Sequence, residues 1–377
     1  MTLKKIAIIG AGPAGCACAI RLSQITNYKI TLISAPEKDF YIGECVPPEI
    51  KKPLLTLNIY KAFLKDKHIP SFGSCSYWGS QYPGYNDSIM NPHGHGWHLN
   101  RKKFNQLLIQ TADSKKNIQL IKNSTFRKTL DSSTLIYKDP DGANRTLSYD
   151  FIIDASGPKS IVAKYFGETQ IHDTPLICVG MKFKQEKPAL LSHLTQIEAV
   201  KHGWWYATSL PNQEALVTLF THASIIKKLQ LNSFLPWHNL LEGTSTEHWL
   251  KEYHYSPSQH HLFMFAAHSF CLSSIHGRNW LAVGDAASCY DPITSNGIIK
   301  SITEGIRSAE MLRNGDRYMK NLYIHDQNVK ARYEHYRNMR SLYYNLERRW
   351  PNSAFWKIIQ NPEEGNSIQD FAMSHQH

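Results

Sequence analysis

Four apolar residues, Ile6-Ala7-Ile8-Ile9, run straight into Gly10-Ala11-Gly12-Pro13-Ala14-Gly15. A buried strand that ends in GxGxxG and opens a helix is half of a βαβ unit, and each small residue in it has a task. Gly10 makes the tight turn, Gly12 lets the backbone approach a pyrophosphate, and Gly15 lets helix and strand pack closely. The helix opened by Pro13 and Ala14 turns its free N–H groups and positive dipole end toward the phosphates. A glycine bend without a ligand is the alternative, and the position between an apolar strand and a helix argues against it. The spacing predicts a strand over 5–9, a helix near 14–25 and a strand over 29–33. In the last of these, Ile30, Leu32 and Ile33 suit burial on both faces.

Because the apolar run leads directly into the glycine turn, it reads as a first strand and not as a signal peptide. No run is long enough to span a bilayer, so no membrane is expected and the expected location is cytoplasmic. Hydrophobic residues make up 42% and charged residues 19% of the chain, the balance of a folded protein. The formal charge of +11 comes from dispersed basic residues that form no long block, so no nucleic acid is expected. A basic surface facing an acidic protein partner, or solubility alone, accounts for it equally well. Seven cysteines, at 16, 18, 45, 75, 178, 271 and 289, show no CxxC spacing and read as reduced thiols, several of them core packing. His93 and His95 lack carboxylate or Cys company, and no metal is expected.

Further along, Pro47, Pro48 and Pro53 break 40–57 into a loop with a short helix. Gly and aromatic residues make 72–97 an irregular excursion. A helix is expected near 101–113, then short strands that include a hairpin at Asp139-Pro140-Asp141-Gly142. Phe151-Ile152-Ile153 is another buried strand, ending at Asp154-Ala155-Ser156-Gly157. From about 175 to 275 the texture becomes β-rich, with segments at Cys178–Phe183, Trp204–Thr208 and Ala215–Phe220 and one helical stretch at about 223–235. Parallel-type apolar character returns at Trp280-Leu281-Ala282-Val283. The remainder is helical, with a Tyr/Arg-rich stretch near 316–349.

The second strand ends in Ser34-Ala35, where an acid that binds the adenosine ribose is expected. A hydroxyl can still hydrogen-bond a ribose, with Glu37 as another candidate, but a bidentate carboxylate is missing. A second glycine-acid site separates FAD from NAD. Asn279–Ala287 reads as a strand ending in Gly284-Asp285, and Asp285 is typed to accept from a ribityl hydroxyl. Asp291-Pro292 follows, then Asn296-Gly297-Ile298 at the head of a helix near 297–312. A helix N-terminus aimed at the pyrimidine edge stabilises the negative charge of reduced flavin. Alone, Gly284-Asp285 reads equally well as an ordinary strand ending; joined to the N-terminal turn, it points to FAD.

The set GAGPAG (10–15), IGE (42–44), Arg101, DASG (154–157) and GDAA…DP…NG (284–297) resembles the flavin monooxygenases of the para-hydroxybenzoate hydroxylase class. More narrowly, it resembles the branch shared with flavin-dependent halogenases. The resemblance implies an α/β fold: a doubly wound parallel-sheet, Rossmann-like FAD-binding domain, an inserted mainly antiparallel β-sheet substrate domain and a helical C-terminal region. The expected boundaries are 1–174 with 276–315, then 175–275, then 316–377. By the same resemblance Arg101 contacts FAD at or near the pyrophosphate, as suits a guanidinium. The alternative for Arg101 is an exposed helix start beside Lys102 and Lys103. Asp154 and Gly157 would close the sheet under the cofactor. Gly43, Glu44 and Cys45 would lie near the isoalloxazine, with Cys45 and Pro292 as neighbours of the flavin face. Cys45 also reads as a buried, inert thiol.

Within that superfamily the chain looks most like the flavoproteins that mature quinone cofactors inside amine-oxidising enzymes, in particular the partners of cysteine tryptophylquinone oxidases. The compact length, Gly43-Glu44-Cys45-Val46-Pro47-Pro48, and the β-rich lobe beside a long aromatic-basic helix carry that resemblance. The loop 71–85 holds no lysine, so a halogenating lysine has no counterpart there, and Trp204-Trp205-Tyr206 with Leu210-Pro211 does not match the WxWxIP segment of halogenases. The implied activity is oxygen insertion into a tryptophan indole of an oxidase precursor, with O2 as co-substrate and NAD(P)H or a reductase as electron donor. The alternatives are a small-aromatic hydroxylase or halogenase, and a flavin-binding assembly chaperone without chemistry. Tyr333, Tyr336, Arg337, Arg340, Tyr343, Tyr344, Arg348, Arg349 and Trp350, with 333, 336/337, 340 and 344 on one helical stripe, serve either as a docking face or as core-covering tyrosines with snorkelling arginines.

Overall fold

A computed structural model describes residues 4–37, 44–173, 175–187, 191–258, 260–313 and 318–361. The chain divides into two compact units, one of 1–67, 100–171 and 270–335, the other of 68–99, 172–269 and 336–377.

The first unit is built on a five-stranded parallel sheet in the order Trp280–Ala282, Phe151–Asp154, Lys5–Ile9, Lys29–Ile33, Ile118–Ile121. The registers Ile8↔Ile153 and Ile8↔Leu32 put the first strand at the centre, with later strands added on either side. Such an order places a crevice at the carboxyl ends of the strands, beside the point where the winding reverses. Ile6, Ala7, Ile8, Ile152, Ile153 and Leu32 are buried, as strands covered on both faces require. The helix Pro13–Ile25 starts with proline at its first position and buries Ala14, Gly15, Cys16, Ala17, Cys18, Ala19, Ile20 and Leu22. That run of small side chains lets the helix Gly297–Leu312 come close: a Cβ on Gly305 would lie 2.3 Å from the Ala14 carbonyl oxygen and 3.1 Å from Ala17 Cβ. Gly297–Leu312 buries Ile298, Ile302, Gly305, Ile306 and Ala309 at i, i+3 and i+4 spacing. The helix Arg101–Asp113 is capped by Asn100, whose side chain accepts from the Lys103 amide at 3.0 Å.

The second unit holds an eight-stranded, mainly antiparallel sheet. Its order is Tyr255–Pro257, Ile177–Gln185, Glu214–Thr221, Gly203–Leu210, Leu194–Val200, Gly73–Tyr77, Gly84–Asp87, with Phe263–Ala266 also paired to Ile177–Gln185. Trp204 and Trp205 are fully buried in it; Trp204 stacks on Phe220 at 4.1 Å and donates from Nε1 to the Tyr344 hydroxyl at 3.0 Å.

Several elements differ from those expected. The segment 72–97 contains regular strands, because Gly73–Tyr77 pairs in parallel with Leu194–Glu198 and antiparallel with Gly84–Asp87. That pairing puts 68–99 in the second, β-rich unit and not in the first. In place of one helical stretch at about 223–235 there are three helices that reach beyond it, Ala223–Leu229, Phe234–Asn239 and Ser245–Glu252, the first stopped by Gln230 at φ +54. The C-terminal helix runs Tyr318–Leu346 and is divided between the two units, and a further helix, Ala354–Gln360, follows it. Tyr333, Tyr336, Arg340 and Tyr344 of the aromatic-basic stripe are buried, whereas Arg337 is half exposed. Among the described residues no helix is long and apolar enough to cross a membrane.

Candidate functional site

Gly10, Ser34, Asp154 and Gly284 each lie at or just past the carboxyl end of a strand of the parallel sheet in the first unit. Gly10 has φ +111, and its amide donates to the Ile33 carbonyl at 2.8 Å. A Cβ there would sit 2.2 Å from the Ala155 carbonyl oxygen, and one on Gly15 would sit 1.9 Å from the Gly10 carbonyl oxygen. Both glycines are therefore demanded by packing within the fold. Gly12 is different: its backbone is extended, at φ −75, and no atom lies within 4 Å of where a Cβ would stand. The fold leaves open the side of Gly12 that a pyrophosphate would need.

Gly284, at φ +63, closes the other side: a Cβ on it would come within 2.7 Å of Ala14 Cβ. The N-terminal turn and the GDAA segment, about 270 residues apart in the chain, are in van der Waals contact. A third segment is tied to both. The Ala155 amide donates to the Ile9 carbonyl at 2.9 Å, and the Val283 amide to the Asp154 carbonyl at 2.9 Å. The buried Ser160 hydroxyl donates to the Ala286 carbonyl at 2.8 Å.

Asp154 is fully buried and works inside the fold. Its carboxylate accepts from the Ser156 amide and hydroxyl at 3.0 and 2.6 Å and from the Val162 and Ala163 amides at 2.8 and 2.9 Å. It thus caps the short helix Ile161–Tyr165. Burial raises its pKa, and the four donors oppose that rise. Gly157 begins the turn after it at φ +69, again with open space where a Cβ would be.

Ser34 ends the second strand, and its hydroxyl donates to the Ala35 carbonyl at 3.1 Å, which leaves its oxygen lone pairs as acceptors. Arg101 is half-buried between the exposed Lys102 and Lys103, and one guanidinium nitrogen reaches Asn105 Oδ1 at 3.4 Å, so it is no freely solvated helix start. Glu44 is buried and the adjoining Cys45 half-buried, whereas Ile42 and Gly43 lie outside the described residues. Of the seven free cysteines, burial pushes Cys16 up to about 12 and raises Cys18, Cys271 and Cys289. These are poor nucleophiles.

Asp291 accepts from the Ile293 amide at 3.0 Å and caps the turn that Pro292 opens. Ser295 at φ +50 and Asn296 lead into the long helix, where Gly297 has open space at its Cβ position and Ile298 points into the core. The amides of Gly297, Ile298 and Ile299 precede the first intrahelical bond, which the Lys300 amide makes to the Asn296 carbonyl at 2.9 Å.

One part of the site escaped the sequence reading. Asp285 Oδ1 lies 3.3 Å from the Lys300 ammonium and 3.5 Å from the Ser301 hydroxyl, while the Asp285 side chain stays about a third exposed. Lys300 is almost wholly buried; it also donates to the Ser288 carbonyl and stands over the Tyr290 ring, 4.8 Å from its centre. Burial alone would lower the Lys300 pKa, but Glu304 and Asp285 outweigh it and raise it. Glu304 is buried too; it accepts from the Gly284 amide at 3.0 Å and from Arg332 at 3.3 Å. The available signal was a Lys300/Glu304 pair, four residues apart, in a helix whose other inward positions are small or apolar.

The arrangement fits a dinucleotide whose pyrophosphate lies against Gly12 and whose other half lies along the 284–298 segment. Gly12 and Gly297, one at each of these places, have nothing within 4 Å of where a Cβ would stand. The tryptophan halogenase family model matches residues 58–376. The putative FAD-dependent oxidoreductase LodB of Marinomonas mediterranea is 29% identical over 368 residues, covering 93% of this chain and 95% of that protein. The flavin-dependent halogenase CmlS has the same fold, with a TM-score of 0.83 at 19% identity over 98% of this chain and 70% of that one. QhpG, a peptidyl tryptophan dihydroxylase essential for tryptophylquinone cofactor biogenesis, has a TM-score of 0.72 at 18% identity, covering 96% of this chain and 79% of QhpG. A halogenase-type flavoprotein fold, a glycine turn sealed against a GDAA segment and a family match over most of its length thus converge: the chain belongs to the tryptophan halogenase family and is a flavin-dependent oxidoreductase that uses FAD.

Proposed function

We propose that this protein is a monooxygenase that hydroxylates a tryptophan side chain in the precursor of a cysteine tryptophylquinone oxidase. One observation carries the reading: LodB is 29% identical to this chain through 95% of its own length, whereas the halogenases matched by sequence reach 19–23% identity over 61–69% of theirs. The biogenesis role of QhpG, a protein of the same fold, supports a peptidyl tryptophan as substrate. The absence of lysine from 71–85 weighs against halogenation.

In this reading, Gly12 and the head of Pro13–Ile25 hold the pyrophosphate, with Arg101 beside it. Ser34 and Ala35 meet the adenosine ribose, and Asp285 accepts from a ribityl hydroxyl. Glu44, Cys45 and Pro292 border the flavin ring, and Gly157 lines the same crevice. The N-terminus of Gly297–Leu312, through Asn296, Gly297 and Ile298, faces the pyrimidine edge and stabilises negative charge there. The chemistry that FAD supplies when bound, with two electrons from NAD(P)H or a separate reductase, is reduction of O2 so that one oxygen atom enters the indole C–H and the other leaves as water.

The test is to express the oxidase precursor with and without this protein and to measure its intact mass. Oxygen added to a tryptophan only in the presence of the flavoprotein is the expected result, unchanged when chloride and bromide are left out. A halogen adduct would favour the halogenase alternative. Maturation that survives loss of FAD from a Gly12 or Asp285 variant would leave the assembly-chaperone reading in its place.

A further inference from the structure

We propose that Lys300 is the positioning residue of the FAD site. The inference rests on the cofactor geometry above, in which Asp285 meets the ribityl chain.

An exposed carboxylate at a strand end samples several rotamers, and a ligand that needs one of them is bound less tightly for the ordering it demands. Asp285 is not left to do so. Lys300 takes its Oδ1 at 3.3 Å and Ser301 approaches the same oxygen at 3.5 Å, while the side chain as a whole stays about a third exposed. The same ammonium donates to the Ser288 carbonyl, so one side chain joins both ends of the 284–288 turn. Glu304 holds the turn from the other direction, through the Gly284 amide at 3.0 Å. Lys300 is thus held by the Asp285 carboxylate, the Ser288 carbonyl and the face of Tyr290, with the charge of Glu304 adding attraction. A buried ammonium with that many partners is fixed in place, which an exposed lysine is not. Its position, in the first turn of the helix that opens at Gly297, puts a full positive charge on the same side as the helix dipole. Lys300 therefore has two effects: it holds the Asp285 carboxylate in one orientation, and it favours an anionic reduced flavin over the oxidised one.

The experiment uses the full-length protein stripped of FAD and titrated with FAD, read by quenching of flavin fluorescence, and the midpoint potential of the bound flavin. Lys300→Met is expected to weaken FAD by about tenfold or more and to move the potential to more negative values. Asp285→Asn also weakens FAD, and Lys300→Met added to it is expected to change affinity little further, because the two residues act through one contact. Lys300→Arg, which keeps the charge, is expected to recover most of the potential. Should Lys300→Met fail to fold, Lys300→Met with Glu304→Gln removes one charge of each sign and keeps an acceptor for Gly284; it is expected to show the same loss. Wild-type affinity and potential in either methionine variant would overturn the proposal, as would losses that simply add to those of Asp285→Asn. A wild-type protein that quenches no flavin would overturn the cofactor geometry along with it, so the two failures are told apart.

Discussion

Three glycines of one motif carry different burdens, and the difference is measurable. Gly15→Ala forces a Cβ into the Gly10 carbonyl at 1.9 Å, backbone that cannot swing aside. It is expected to cost about 3 kcal/mol of stability. Gly12→Ala meets nothing within 4 Å and has an ordinary extended backbone, so the apo protein should keep its stability to within about 0.5 kcal/mol. Its FAD affinity should nevertheless fall by about tenfold or more, since the methyl occupies the approach to the pyrophosphate. Denaturation and FAD titration of the two variants side by side check both statements. Buried histidines set the acid limit. His325 is lowered to about 4 by burial first and then by Arg332 and Arg307, and burial holds His98 at about 3. Below the ordinary value of 6.5 the unfolded chain takes up protons that the folded chain refuses. Stability is therefore fully present above pH 6.5 and is lost as pH falls toward 4. His325→Gln should flatten that decline in urea denaturation by about 1 kcal/mol or more.

At the scale of elements, the helices Pro13–Ile25 and Gly297–Leu312 are matched surfaces: small residues on one and Gly305 on the other let backbone approach backbone. The C-terminal helix makes the opposite use of its residues. Arg340 is buried with its guanidinium 4.8 Å from the centre of the Tyr344 ring, whereas Arg337 is half exposed and pairs with Asp173 at 2.9 Å. Charge reversal at the two positions should separate them. Arg340→Glu puts a carboxylate against an aromatic face in the interior and should cost about 3 kcal/mol in thermal or chemical denaturation. Arg337→Glu breaks an exposed pair and should cost no more than about 1 kcal/mol. Helix periodicity showed the stripe; it could not say which side of the stripe was covered, because arginine is at home both over a ring and in water.

For the molecule as a whole, binding of FAD to the folded state alone is a stabilising term. Free FAD at a hundred times its dissociation constant should raise the unfolding free energy by about 2.7 kcal/mol, and a Gly12→Ala variant that binds about tenfold more weakly should keep only about 1.4 kcal/mol of it at the same FAD concentration. What the sequence determined by itself was the local half of this protein. An apolar run meeting GxGxxG admits one supersecondary unit, and helices 101–113 and 297–312 were legible because periodicity and end signals are short-range properties. The dinucleotide turn and the Gly284-Asp285 ending were legible for the same reason. Only the tertiary structure decided that Gly284 seals against Ala14, that 73–77 joins the β-rich sheet through residues 194–198, that Asp154 serves a helix cap, and that Lys300 is buried behind Asp285. Each of those depends on which distant segment fills the space beside a residue. A charge four residues into an amphipathic helix looks the same in sequence whether it meets solvent or a carboxylate, and long-range packing alone settles which.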